Sequence, residues 1–195
     1  MVGNKVKTPV GMVTSNWYPI TAEPENAHPT YGAAVDMGAA VKGYLTITTA
    51  SSEIPGDDII QVSADEFVSC QADVETTLDD LELNSMLYGH TYSEEAGEVS
   101  NAADSAKPGA YSFIQSILKK DKTKVFRATI LFKCTAISSS EKQEADTKKP
   151  GELSPKMNAV QLKCVPDNSG AWRQRKEFDT QKAAEEWIAS VLSPA

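Results

Sequence analysis

Strict alternation of apolar and polar residues constrains this chain most, because successive side chains of a β-strand point to opposite faces. In residues 67–78 one set of alternate positions is apolar, namely Val68, Cys70, Ala72, Val74 and Leu78. The positions between them are polar, namely Ser69, Gln71, Asp73, Glu75 and Thr77. The segment therefore predicts a strand with one face in the core and one polar face that carries no basic residue.

Further alternating runs predict most of the chain as strands. Residues 41–49 indicate a half-buried strand, and residues 110–137 indicate a long hairpin around the polar turn at 119–124. A second hairpin is predicted from 160–164 and 172–178 around a turn at 166–170. The second strand of the long hairpin places on one face Phe126, Ala128, Ile130, Phe132, Cys134 and Ala136.

Two helices interrupt the strands. Asp79 or Asp80 can cap a short helix that ends at Gly89. Asp179 or Thr180 can cap a C-terminal helix with an apolar stripe. The stripe consists of Ala184, Trp187, Ile188, Val191 and Leu192. The sequence predicts a mainly β fold, a sandwich or barrel, with one short helix and a C-terminal helix packed on the sheet.

The chain of 195 residues fits a single domain, 1–195. The proline-rich start predicts an extended N-terminal arm over about residues 1–30. Two polar stretches, at about 93–109 and 138–155, are expected to be long loops.

Charge is divided unevenly within a net charge of −8. Residues 43–106 contain fourteen acidic residues and neither Lys nor Arg, whereas residues 107–195 contain sixteen basic and ten acidic residues. A net acidic chain argues against a protein that grips nucleic acid by neutralising phosphates. The basic clusters are Lys119, Lys120, Lys122 and Lys124 at the hairpin turn, and Trp172, Arg173, Arg175 and Lys176.

The cysteines Cys70, Cys134 and Cys164 are odd in number, widely spaced and without a CxxC pair. We expect three buried free thiols rather than a disulfide framework or a zinc site. The chain has neither a run of about 18 apolar residues nor an apolar segment typical of a signal peptide near its start, so we expect no membrane association.

The sequence lacks the common catalytic motifs. His28 and His90 are the two histidines, and the sequence lacks HExxH, GxSxG and the glycine-rich phosphate loops. We therefore expect no enzyme activity, no cofactor and no metal. Two alternatives stay open: an oxygen-ligand cation site in the acidic block, and a small hydrolase that uses distant acidic residues.

The order of these parts resembles the major tail tube protein of long, non-contractile-tailed bacteriophages. The matching parts are residues 31–35, 41–49, 67–89, 110–137 and 144–150, with Ala33 where a proline is common. The resemblance implies a structural virion protein whose hexameric rings stack into a tube with a continuous inner β-barrel. Genome DNA would pass through the lumen, and the partners would be further copies, the tape measure protein, and the tail terminator and tip proteins. Assembly would take place in the host cytoplasm.

Under this resemblance, two surfaces have predicted roles. The polar face of Ser69, Gln71, Asp73, Glu75 and Thr77 is the candidate lumen surface, where acidic groups would repel DNA phosphates. Lys119, Lys120, Lys122 and Lys124 are candidate contacts between subunits, because a basic segment on one copy can meet the acidic block of the next. The alternative function is a secreted or surface β-sandwich that binds carbohydrate or protein.

Overall fold

The computed structural model describes residues 7–56, 59–141 and 157–192, with 53–56 and 59–64 described by their backbone alone. The strands are β1 Lys7–Ala22, β2 Thr30–Tyr31, β3 Val35–Asp36, β4 Ala40–Gly56, β5 Ile59–Thr76, β6 Thr91–Ser93, β7 Gly97–Val99, β8 Gly109–Lys119, β9 Lys124–Ala136, β10 Asn158–Cys164 and β11 Arg173–Phe178. The helices are α1 Leu81–Tyr88 and α2 Gln181–Leu192, and a 3₁₀ turn spans Ser138–Ser140. The fold is mainly β with two helices, which confirms the predicted fold class.

Within the described residues, nine strands form one antiparallel sheet in the order β2-β1-β8-β9-β10-β5-β4. Two strands lie off this path, with β3 on β1 and β11 on β9. The predicted long hairpin is confirmed as β8 and β9. The predicted strand at 41–49 is confirmed as part of β4, which pairs with β5 along its whole length. Its predicted half-burial is wrong, because only Leu45 in this range is partly buried on a strand with an open edge.

The sheet forks at β9, because β10 and β11 both pair with this strand. The predicted second hairpin between those two strands is therefore wrong. One edge of β9 pairs with β8, and the other pairs with β11 at residues 126–131 and with β10 at 134–136. The strands β10 and β11 thus share a neighbour and do not pair with each other. Both strands are fully paired with other strands. All seven residues of β10 pair with β5, and all six residues of β11 pair with β9.

Two apolar cores lie on opposite faces of β8 and β9. The inner core fills the curved sheet and includes Trp17, Tyr111 and Leu131, and the outer core lies beneath α2. Buried residues of α2 are Ala184, Ile188 and Leu192, which confirms that the C-terminal helix packs on the sheet. The Ala183 amide donates to Thr180 Oγ1 at 3.2 Å, so Thr180 caps this helix.

A β-bulge in β9 corrects the predicted single face of this strand. Between the pairs Gly109 with Cys134 and Tyr111 with Leu131, three residue steps of β9 face two of β8. Phe132 consequently lies in the outer core, whereas Cys134 lies in the inner core. Strict alternation in the sequence does not reveal such an extra residue.

The bulge precedes a row of three cysteines. Cys164 lies directly opposite Cys134 on one side and Cys70 on the other. Cys134 and Cys164 form a disulfide, and Cys70 is a buried free thiol. The expectation of three free thiols is therefore wrong for two of them. Pairing across strands depends on register, which the spacing of 30 residues between these cysteines does not show.

The predicted short helix is confirmed with both of its caps. The Asp80 carboxylate accepts hydrogen bonds from the amides of Glu82 at 2.9 Å and Leu83 at 3.0 Å. Gly89 ends the helix at φ 82°, and a Cβ at this position would clash with the carbonyl of Ser105. Of the two capping residues that the sequence allowed, Asp80 caps the helix.

The predicted N-terminal arm is largely a strand. β1 pairs with β8 over residues 7–19, and Trp17 is 1% exposed in the inner core. Pro9 fits because most of β1 has a ladder on one side only, and edge strands tolerate proline. Residues 1–6 of the predicted arm lie outside the described residues.

The two predicted long loops differ in what the structure describes. The stretch 93–109 begins within a small hairpin in which Tyr92 of β6 pairs with Glu98 of β7. Of the stretch 138–155, the first three residues form the 3₁₀ turn, while residues 142–155 are outside the described part. The segment 144–150 that contributed to the family resemblance falls in that range.

Candidate functional site

The predicted polar face lies on β5 between its two neighbours. Ser69, Gln71, Asp73 and Glu75 are half-buried, and Thr77 is exposed just beyond the strand. They alternate with the buried residues Cys70, Ala72, Val74 and Thr76. The prediction that Val68 lies on the core face is wrong, because Val68 is 48% exposed at a bulge where the pairing with β4 passes from Ser69 to Phe67. β4 and β10 flank this strand on either side, so the face continues across three strands.

Hydrogen bonds order the side chains of this polar face. The Asp73 carboxylate accepts from the Nε2 atoms of Gln71 at 3.1 Å and Gln161 at 2.6 Å. Lys42 Nζ lies 3.4 Å from Glu75 Oε1. The face therefore presents acidic groups that are partly paired, in a fixed arrangement.

The four lysines of the predicted basic contact lie at the β8–β9 turn. Asp121 organises the turn by accepting from the amide of Thr123 at 3.0 Å and its hydroxyl at 2.6 Å, which lowers the pKa of Asp121. Lys122 adopts the left-handed conformation at φ 66°. Lys124 begins β9, and β10 joins this strand from Cys134 onward, so ten residues, or about 33 Å along β9, separate the lysine turn from the pairing with β10. Within the described residues, no ion pair joins the two predicted surfaces.

Two long strands of the main sheet, β4 and β1, have open edges in the described part of the chain, in addition to the short strands β2, β3 and β11. β4 pairs with β5 alone, and residues 7–15 of β1 pair with β8 alone. Both edges carry large apolar side chains that are between 39% and 55% exposed. These are Val10 and Val13 on β1, and Val41, Tyr44 and Ile47 on β4.

The curvature of the sheet brings these two edges close to each other. A Cβ on Gly43 of β4 would lie 3.1 Å from Met12 Sδ of β1. A cleft of about 240 Å³ lies beside this contact and continues into the inner core. Arg173 and Arg175 of β11 line it, together with Tyr44, Phe113 and Thr129.

His28 contacts both an acid and a hydroxyl. Its Nδ1 lies 2.6 Å from Asp167 Oδ2 and 3.3 Å from Ser169 Oγ. Burial opposes ionisation of Asp167, but hydrogen bonds from Ser169 and His28 prevail and lower its pKa. A catalytic triad places the hydroxyl and the carboxylate at opposite imidazole nitrogens. This cluster instead fastens the segment before β2 to the turn before β11.

His90 lies between two carboxylates. Its Nδ1 is 3.0 Å from Asp104 and its Nε2 is 3.3 Å from Glu141. The hydrogen bond with Asp104 is the main cause of a raised His90 pKa, with Glu141 adding to it against the effect of burial. The His90 side chain connects the loop after β7 to the end of the 3₁₀ turn.

No group of three or more His, Cys, Asp or Glu residues in the described ranges is arranged to hold a metal ion. None of the helices in those ranges is long and apolar enough to cross a membrane. No protein-family model matches the chain, and no curated protein matches it either.

Sequence reasoning located the polar face and the lysine turn but missed both histidine clusters and the cleft. His28 and Asp167 are 139 positions apart, and no local motif connects them. Arg173 and Arg175 appeared in the sequence only as a small basic group. Thr129, which also lines the cleft, lies within an apolar run of the sequence, and no sequence motif marks it as a binding residue.

Proposed function

We propose that this protein is a structural subunit that assembles with copies of itself through its strand edges. The observation that carries the proposal is the exposure of large apolar side chains along β1 and β4, two long strands with open edges in the described part of the chain. Long open edges promote pairing between chains, and proteins that remain single usually shorten, charge or cover them. Closure of such edges around a ring removes them from water.

The family resemblance gives this assembly its form. We propose hexameric rings stacked into the tail tube of a bacteriophage, built in the host cytoplasm and carried in the virion. In this arrangement Ser69, Gln71, Asp73, Glu75 and Thr77 line the lumen, and the lysines at the β8–β9 turn contact acidic residues of a neighbouring subunit. The ordered acidic groups on β5 support the lumen role, because DNA phosphates would not bind to them.

Electron microscopy of Ile47→Lys tests the proposal. Ile47 is 46% exposed on the open edge of β4, and a lysine there would place a charge in the contact between subunits. We expect rings or tubes from the wild-type protein and single subunits from the variant, with unfolding measured to show that the variant is folded.

Val99→Lys is the matched control. Val99 is also 46% exposed, but it lies on β7 in the separate two-stranded sheet. It should assemble like the wild type. A wild-type protein that stays monomeric at high concentration, or Ile47→Lys tubes as abundant as those of the wild type, would contradict the proposal.

A specific observation favours a second candidate, the secreted or surface β-sandwich that binds carbohydrate or protein. The Cys134–Cys164 disulfide is typical of proteins from an oxidising compartment. This candidate predicts a monomer that keeps the disulfide after isolation without added oxidant. The same microscopy, combined with mass spectrometry of the cysteines, separates it from tube assembly.

A further inference from the structure

The inner face of the sheet carries two cross-strand rows that end in arginines. The rows across β8, β9 and β11 are Tyr111–Leu131–Arg173 and Phe113–Thr129–Arg175. Side chains in register on neighbouring strands lie on the same face. Both arginines therefore point toward the cleft between the sheet edges, which they line.

The two guanidinium groups have no acidic partner in the described part of the chain. Among the described residues, neither Arg173 nor Arg175 forms an ion pair. Arg173 stacks on the ring of Trp172 at 4.2 Å, which fixes its position. Burial and the neighbouring Arg175 lower the pKa of Arg173. Two like charges beside a cavity create a preference for an anion.

Thr129 supplies an independent observation at the same place. It is 1% exposed, and its buried Oγ1 has no hydrogen-bond partner in the part of the chain that the structure describes. A buried polar atom without a partner is costly, so its hydroxyl is a donor available to a ligand oxygen. Thr129 lines the cleft together with both arginines.

The rest of the cleft lining is largely apolar, with Met12, Leu45 and Phe113 among its residues. Asp73 also contributes to the lining, but its carboxylate accepts hydrogen bonds from Gln71 and Gln161. The cleft therefore combines a cationic end and an apolar wall within about 240 Å³.

We propose that this cleft binds an organic carboxylate. The carboxylate meets Arg173, Arg175 and the hydroxyl of Thr129, in the geometry that guanidinium groups favour. The apolar part of the ligand lies against Met12, Leu45 and Phe113. The carboxylate comes either from a free small acid or from an acidic side chain of a second copy of this chain.

Calorimetry with hexanoate tests the site in the full-length protein. We expect saturable binding of hexanoate and none of hexanamide, which lacks the charge. Arg173→Gln and Arg175→Gln should each weaken binding at least tenfold. Lys182→Gln on the exposed side of α2 removes the same charge away from the cleft and should bind like the wild type.

Thr129 gives a finer test of the same site. Thr129→Val removes the hydroxyl and keeps the shape, so hexanoate binding should weaken severalfold, and Thr129→Ser should restore it. Thermal unfolding of each variant shows whether it is folded. Equal hexanoate binding by the wild type and both arginine variants would overturn the proposal.

Sedimentation distinguishes the two possible sources of the carboxylate, a free small acid and a second copy of the chain. Hexanoate binding that leaves assembly unchanged identifies a free acid as the ligand. Dissociation of assemblies by hexanoate, with poor assembly of Arg173→Gln, identifies a carboxylate of a second copy. Hexanoate that neither binds nor affects assembly overturns the site. Ile47→Lys keeps the cleft residues, so it should bind hexanoate even where it fails to assemble, which separates this inference from the proposed function.

Discussion

Among single residues, His90 makes a contact that depends on pH. Asp104 and Glu141 lie at its two nitrogens, and its side chain is 10% exposed. Both carboxylates favour the protonated imidazole, so the pKa of His90 is raised by folding. A group with a raised pKa in the folded protein stabilises it fully below its unfolded pKa and loses this effect as pH rises through the folded pKa.

We predict that His90→Gln lowers the free energy of unfolding more at pH 5.5 than at pH 9. At the lower pH the wild type has a charged imidazole between two carboxylates, whereas at the higher pH that charge is lost. Urea unfolding at both values measures the difference between variant and wild type. A difference that is the same at both values would show that the charge of His90 contributes nothing.

At the scale of elements, sequence reasoning succeeded where the signal is local. The Asp80 cap, the Gly89 stop and the apolar stripe of α2 lie within a few residues of the features they define. It failed where partners are distant. The pairing of β10 and β11 with β9, and the entry of β1 into the sheet, depend on ladders between strands far apart in sequence.

In the candidate site, too, local features could be predicted from the sequence and features that join distant residues could not. Alternation along one strand is enough to predict the polar face of β5, because all five residues lie within nine positions. The cleft draws on β1, β4, β5, β8, β9 and β11, and Met12 of β1 meets the residues of β4 in it only after the sheet has curved. Sequence patterns report which side chains share a face, and the curvature of that face follows from the whole fold.

The contact between α2 and the sheet gives a stability prediction. Ile188 is 2% exposed in the outer core, so Ile188→Ala should lower the free energy of unfolding by about 2–5 kcal/mol. The exposed Glu186→Ala on the same helix should change it by less than about 0.5 kcal/mol. Urea unfolding followed by circular dichroism measures both. Similar losses in the two variants would mean that α2 is not held by its apolar stripe.

In the whole molecule, the acidic and basic parts of the sequence contribute to different surfaces. The acidic face lies on β5, and the lysine turn lies at the end of β9 away from its pairing with β10. Under the proposed assembly, one surface faces DNA and the other faces a neighbouring subunit. The net acidity of the chain then suits a channel through which DNA moves without binding.

Charge reversal on the proposed lumen surface should change how tubes treat DNA. We predict that tubes of the double variant Ser69→Lys and Glu75→Lys retain double-stranded DNA at low salt and release it at high salt, whereas wild-type tubes do not retain it. Gel retardation with purified tubes measures this. The same charge change at the exposed Ser93 and Glu94 is the control. Retention by the control tubes as strong as that by the lumen variant would remove the lumen assignment.

The fork at β9 has a mechanical consequence. β11 and β10 are hydrogen-bonded to the same edge of β9 at different heights, and β8 occupies its other edge. Within the sheet, every ladder path from β4 to β1 passes through β9. Under the proposed assembly, load that the sheet transmits between the two halves of a subunit therefore passes through β9.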